Sequence, residues 1–170
     1  MREVAIVTDT TACVPYEQVA EYDIEVVPVQ LIFEDRTYRD GIDISPTEFY
    51  NLLRKAEKAP TTSASSPNPY LEAYQKASRK ASSILCLTEP TRFSAMFDSA
   101  RVAVDMARKT LHNVVIEVLE CTTAAAGQGL VALAAAREAA LGRTLNEVVE
   151  VTRKTMSRVN LFASLDTLHY

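Results

Sequence analysis

Three short apolar runs constrain this chain more than any other feature: Val4-Ala5-Ile6-Val7, Ser83-Ile84-Leu85-Cys86-Leu87-Thr88, and Val114 to Leu119. Unbroken apolarity over so few residues is what a strand needs when both of its faces are covered, the condition of a parallel sheet. A further run, Ile24 to Phe33, carries Pro28 in its middle. Proline removes a ladder donor, so this run is expected to break there or lie at an edge.

Helical patterns fill the gaps. Pro15 to Tyr22 makes a short helix. Ser45 and Glu48 form a capping box with Pro46 at the first helical position, and Phe49, Leu52, Leu53 and Ala56 follow as the expected core face. Ser66-Pro67 opens a helix running to about Lys80. Another spans about Ser94 to Thr110, with Ala95, Met96, Val102, Ala103 and Met106 as its expected buried stripe. The alanine-rich stretch Ala124 to Leu141 is a close-packing helix stopped by Gly142. Thr144 and Glu147 make a second capping box, opening a helix to about Asn160, and Leu161 to Leu165 reads as a last short strand. Strands alternating with helices predict an α/β fold, an open, mainly parallel sheet covered by helices.

At 170 residues the chain is long enough for one domain with a real core. A net charge of -4 without a basic cluster argues against nucleic acid as a partner. No apolar run approaches a membrane span, and the N-terminus passes straight into a strand pattern with no signal peptide. Cys13, Cys86 and Cys121 are odd in number and unhelpfully spaced, and read as reduced, buried thiols of a cytoplasmic protein. His112 and His169 belong to no His/Cys cluster, so neither a metal site nor a metal cofactor is expected.

Chemistry is expected beyond the carboxyl ends of the strands, where parallel sheets bind ligands. Polar clusters fall there: Thr8 to Thr11, Thr88 to Ser94, and Glu120 to Thr123. A further segment, Thr61-Thr62-Ser63-Ala64-Ser65-Ser66, is expected as a loop of hydroxyls and free N–H groups at the positive end of the helix opened by Pro67. Together these supply many hydroxyls and one cation, Arg92, which suits hydrogen-bond recognition of a small anionic head group. Each element also has a plainer reading. Asp9 fits an Asx turn, Thr122 and Thr123 fit helix caps, and Gly127 and Gly129 fit close packing of helix on sheet, with no phosphate-loop spacing around them. Asp9-Thr10-Thr11 has the position of a strand-end aspartate nucleophile, but the second acid that such phosphatases use is Thr11 here. No G-x-S-x-G elbow is present either, so no catalytic residue is assigned.

With these motifs in place, the sequence resembles the DegV family of bacterial fatty-acid-binding proteins, the carrier subunits of fatty acid kinase. Val7-Thr8-Asp9-Thr10-Thr11 is similar to the family's "TDST" element. Asp40-Gly41-Ile42-Asp43-Ile44-Ser45 followed by Glu48-Phe49-Tyr50 is similar to its "DG-x-D-I-S…EFY" segment. Thr62-Ser63-Ala64-Ser65-Ser66-Pro67 sits where the family has "T-S-Q-P-S-P", and Glu120-Cys121-Thr122-Thr123 with Gly127 and Gly129 resembles its "D-S…G-x-G" element.

The resemblance implies a non-catalytic lipid carrier that binds a long-chain fatty acid, needs no other cofactor, and presents the acyl carboxylate to a partner kinase subunit. By the same resemblance Thr62, Ser63 and Ser94 hold that carboxylate, with Asp9, Thr10 and Thr123 as further lining residues. The sequence departs from the family's "S-G-T" at Ala95 and Met96, and from its "T-S-Q-P-S" at Ala64 and Ser65. It also implies a domain division, with residues 1–165 as the first domain and 166–170 as the start of a connection to a second, so the chain is expected to be a fragment or a stand-alone half, with the missing second domain or another copy of itself as partner. The competing expectations are an α/β hydrolase or phosphotransferase using Asp9, and an interaction domain without ligand.

Overall fold

The computed structural model describes residues 2–165. β1 (Arg2–Asp9), β2 (Glu25–Val27), β6 (Ala81–Thr88) and β7 (Val115–Glu120) form a parallel sheet in the order β2-β1-β6-β7. Side chains alternate across it, as the pleat demands. Ala5, Val7, Ile84 and Cys86 face a core shared with α3 (Pro67–Ser78) and α4 (Met96–Ala107), where Tyr70, Tyr74, Ala100 and Ala103 are buried. Val4, Ile6, Leu85 and Leu87 face the opposite core with α5 (Ala125–Ala140) and α6 (Leu145–Met156). Each fully buried Leu or Ile contributes about 2 kcal/mol. A two-faced core built on short runs is therefore what the sequence pattern encoded.

The break at Pro28 is real and divides two sheets. β2 ends at Val27, and β3 (Gln30–Phe33) belongs to a small antiparallel sheet of order β4-β3-β5, with β4 (Arg36–Arg39) and β5 (Thr61–Ser63). The segment expected as a hydroxyl loop is thus half strand: Gln30, Leu31 and Ile32 pair with Ser63, Thr62 and Thr61. β-branched threonines suit a pleated edge, and β3 offers the free ladder. Ser66 is the N-cap of α3 with proline next to it, but its side chain makes no capping bond.

Other expectations needed correction. Cys86 and Cys121 are buried as expected, but Cys13, just past the 3-10 turn that follows β1, is exposed. α2 (Pro46–Leu53) has the expected capping box, yet none of its residues is buried, and Phe49, Leu52, Leu53 and Ala56 are half-buried. It lies on the small sheet, with Phe33 edge-on to Phe49 at 6.4 Å, and no further layer among the described residues covers it. The buried face of α4 is Met96, Ala100, Ala103 and Ala107, while Ala95 and Val102 are exposed. Small alanines let α4 lie close to α3 and the sheet, and apolarity alone misassigned its face. Leu161 to Leu165 form no strand and are exposed, Phe162 at 91%. A strand needs a partner's ladder, and no described residue pairs with this segment. The expected connection at 166–170 lies outside the described residues.

Capping held at the start of α6 and at the end of α5. Thr144 and Glu147 close their box, and Gly142, at φ +76°, ends the alanine-rich helix as the left-handed residue that glycine adopts freely. No helix among the described residues is long and apolar enough to cross a membrane.

Candidate functional site

The chain leaves β1 toward β2 on one side and returns to β6 on the other. The gap beyond the carboxyl ends of β1 and β6 is therefore the switch point of the sheet, where a crevice is expected. A cavity of about 540 Å³ lies there. Thr62 and Ser63 of β5 line one side, Ser94 and Glu89 of the loop after β6 another, and Thr11 of the 3-10 turn Thr10–Ala12 its floor. Val29, Ala64, Phe93 and Ala95 complete the wall. Three side chains named from sequence, Thr62, Ser63 and Ser94, thus share one cavity although they come from different elements.

Asp9, Thr10 and Thr123 are not in that wall. The Thr10 hydroxyl accepts the Val29 N–H at 3.1 Å, fastening the start of the small sheet to the end of β1. Thr123 is buried beneath Gly127, and a Cβ there would collide with its side chain. Gly129 meets the Ala12 carbonyl in the same way, so both glycines serve close packing of α5. The residue capping α5 is Ala124, with no side-chain bond, and neither Thr122 nor Thr123 caps it.

Asp9 lies behind the floor, 1% exposed. It accepts from the Thr11 N–H at 3.0 Å and from the Thr11 hydroxyl, which also lies 3.2 Å from Gln128 Oε1. Gln128 Nε2 donates to both carboxylate oxygens at 3.4 Å and to Thr8 Oγ1 at 3.2 Å, and the Tyr70 hydroxyl donates at 3.4 Å. Burial lifts the Asp9 carboxyl, the donors from Thr11 and Gln128 hold it down and the nearby Glu89 pushes it up, with about 6 as the net result. Burial also raises the Tyr70 phenol well above its usual value, so it stays a donor.

Gln128 and Tyr70 were missed in the sequence. One signal was available: Gln128 stands alone between two glycines in an otherwise apolar helical stretch.

The loop opposite is tied down as well. The Ser65 hydroxyl donates to the Pro28 carbonyl, and the Ser65 N–H points at Met96 Sδ at 3.2 Å. Of the hydroxyl run, Ser65 therefore turns inward, while Thr62 and Ser63 line the cavity and the Ser63 hydroxyl donates to the Ala64 carbonyl at 3.3 Å. Ser94 Oγ accepts the Met96 N–H at 3.2 Å and so covers the start of α4. Arg92, the one cation expected near the site, reaches the Thr122 carbonyl at 3.2 Å and stacks over Phe93 at 4.8 Å. Among the described residues no group of three or more His, Cys, Asp or Glu could hold a metal.

Fold and site together define an α/β domain with a hydroxyl-lined cleft at the switch point of its sheet. Residues 3–170 match the family described as "Uncharacterised protein, DegV family". The chain belongs to the DegV family.

It is 33% identical over 170 residues to a DegV domain-containing protein of Caldanaerobacter subterraneus subsp. tengcongensis, covering 100% of this chain and 59% of that protein. A DegV domain-containing protein of Streptomyces coelicolor is 32% identical, with 99% and 58% covered. The chain thus spans somewhat over half the length of these relatives.

Among solved structures, a DegV family protein from Thermus thermophilus, described for its fatty acid binding, superposes with a TM-score of 0.80 at 27% identity over 92% of this chain and 54% of that one. A Thermotoga maritima protein described as revealing fatty acid binding function gives 0.80 at 27% identity, with 92% and 56% covered.

Proposed function

We propose that the cleft holds the carboxyl end of a fatty acid, with the hydroxyls of Thr62, Ser63 and Ser94 as its hydrogen-bond partners. The observation that carries this reading is the convergence of hydroxyl side chains from β5 and from the loop after β6 on one cavity at the switch point. Fatty acid binding by the Thermus and Thermotoga relatives supports the ligand class.

The apolar part of the wall, Val29, Ala64, Phe93 and Ala95, is small. Each methylene buried adds about 0.8 kcal/mol, so chain length acts through whatever apolar surface the acyl tail reaches beyond the cleft. The protein works as a cytoplasmic carrier without catalysis of its own and hands the acyl carboxylate to a kinase subunit. The nucleophile alternative is disfavoured by Asp9 itself. Its carboxylate is buried, occupied by donors, and separated from the cavity by Thr11.

Native mass spectrometry of the purified protein, followed by lipid extraction, tests the reading. A co-purifying fatty acid whose occupancy drops in Thr62→Ala is expected. Each hydrogen bond to a charged group is worth about 1.5–3 kcal/mol, or roughly 10–150-fold in affinity. Unchanged occupancy in both Thr62→Ala and Ser94→Ala would overturn the assignment.

A further inference from the structure

Thr11, the floor of the cavity, lines the same space as Thr62, Ser63 and Ser94, yet its hydroxyl proton is claimed from behind. A hydroxyl has one proton to donate and two lone pairs to accept with. Two acceptors face that proton: Asp9 Oδ1, which takes it, and Gln128 Oε1 at 3.2 Å. The backbone fixes which atom of the Gln128 amide faces Thr11. The Leu87 carbonyl can only accept, so the Thr8 hydroxyl donates to it at 3.0 Å and is left to accept from Gln128 Nε2 at 3.2 Å. With Nε2 turned to Thr8 and the Asp9 carboxylate, Oε1 is turned to Thr11. One line of hydrogen bonds, anchored on a backbone carbonyl of β6, thus runs through α5 to the edge of the cavity. It leaves Asp9 as the group that decides where the Thr11 proton points.

Resting on the fatty acid reading above, we propose that Thr11 is a further contact of the ligand carboxylate, with Asp9 as the positioning residue that switches it: ionised Asp9 keeps the Thr11 proton, and protonated Asp9 releases it to the ligand. The reason is competition between acceptors. An ionised carboxylate is a better acceptor than a neutral carbonyl or amide, so Thr11 stays turned to Asp9 while Asp9 is charged. Once Asp9 takes a proton from solvent, on either oxygen, the ligand carboxylate outcompetes both neutral Asp9 and Gln128 Oε1 for the Thr11 proton. The Thr11 N–H, donating to Asp9 at 3.0 Å, holds the turn in place. Asp9 titrates at about 6, with burial the largest cause, so both states lie within ordinary pH. The other titratable groups facing Asp9 are Tyr70 on α3, Cys86 on β6, Glu89 after it, Cys121 at the end of β7 and Cys13 past the 3-10 turn. Burial pushes the phenol and these thiols up, which keeps them neutral there. Glu89 is lifted by burial as well, so its titration has to be told apart from that of Asp9. Ligand and proton favour each other, so binding raises the Asp9 pKa. Affinity therefore climbs as pH falls toward 6 and is level above the pKa that Asp9 has in the complex.

The test is an NMR titration of the 170-residue chain with octanoate from pH 5.5 to 8.5, above the ordinary carboxyl range. Affinity should be roughly tenfold higher at pH 5.5 than at 8.5, the worth of one hydrogen bond to a charged group. An asparagine is a neutral acceptor at every pH, so Asp9→Asn should bind at pH 8.5 as the parent does at 5.5, with no slope. Thr11→Val keeps the branched shape and the N–H without the hydroxyl, and should bind throughout as weakly as the parent does at 8.5. A slope that survives in Thr11→Val would mean that Asp9 acts by repulsion through space. One that survives in Asp9→Asn would assign the titration to Glu89. Either result overturns the inference, as does pH-independent binding by the parent. Should a variant fail to fold, the Asp9 carboxyl of the parent, followed by 13C NMR, decides: octanoate should raise its midpoint, and an unmoved midpoint overturns the inference. In each of these cases octanoate still binds and the fatty acid reading stands. No binding of octanoate by the parent at any pH overturns that reading, and this inference with it.

Discussion

Asp9 is the residue whose surroundings are least ordinary. A buried carboxylate is costly unless its lone pairs are filled, and here Thr11, Gln128 and Tyr70 fill them. The donors only partly offset burial, since the carboxyl still sits at about 6 against 3.8 in the unfolded chain. The folded state therefore binds more protons between those values. This contribution to stability is fully present below about pH 4 and is lost as pH rises through 6, by about 3 kcal/mol in all. Asp9→Asn keeps the shape and removes the titration, so the variant should gain stability relative to the parent as pH goes from 4.5 to 8. Urea unfolding of both proteins across that range checks it. A stability difference that does not change with pH would show that Asp9 is not the group titrating. Met96 is the second such residue: Met96→Ala should cost about 2–5 kcal/mol, through an internal void and an unpartnered Ser65 N–H. Thermal unfolding would show it.

Among the elements, α5 is the one fixed most closely by its neighbours. Gly129→Ala sets a methyl against the Ala12 carbonyl, a backbone atom that cannot rotate aside, and should destabilise by about 1–3 kcal/mol. Gly127→Ala meets only a side chain, Thr123, and should cost less. Denaturant midpoints of the two variants rank them, and equal midpoints would contradict the distinction. The contrast with β5 explains what the sequence disclosed. Caps at Ser45, Thr144 and Gly142, and the strands around Ile6, Leu85 and Leu119, are written in residues close together in the chain. Thr61–Ser63 became a strand because β3 offers a free ladder some thirty residues upstream, which no local pattern encodes. Gln128 stayed hidden for the same reason, since its partner Asp9 lies 119 residues away. The cavity shared by Thr62 and Ser94 depends on that same distant pairing, so the family resemblance could name the residues while local sequence could not bring them together.

At the scale of the molecule, stability is uneven. The parallel sheet has two covered faces, whereas the small sheet carries α2 on it with no buried residue. Amide exchange in β3 to β5 should therefore proceed through a local opening well below the global unfolding energy, while β1 and β6 exchange only globally. Uniform protection across both sheets would refute this, and added fatty acid should slow exchange at Thr62 and Ser63 first. The sheet order has a further consequence, for the time course of synthesis. The two central strands are separated by most of half the chain: the Thr8 hydroxyl bonds the Leu87 carbonyl across 79 residues. Translation at about 5–20 residues per second leaves the newly made β1 waiting roughly 4–16 seconds for its neighbour. During that interval Val4 to Val7 form an apolar, β-prone ribbon whose edge toward β6 stays open. The nascent chain is most vulnerable to aggregation then, and a chaperone that shields its first strand would raise the yield of folded protein more than one acting after release.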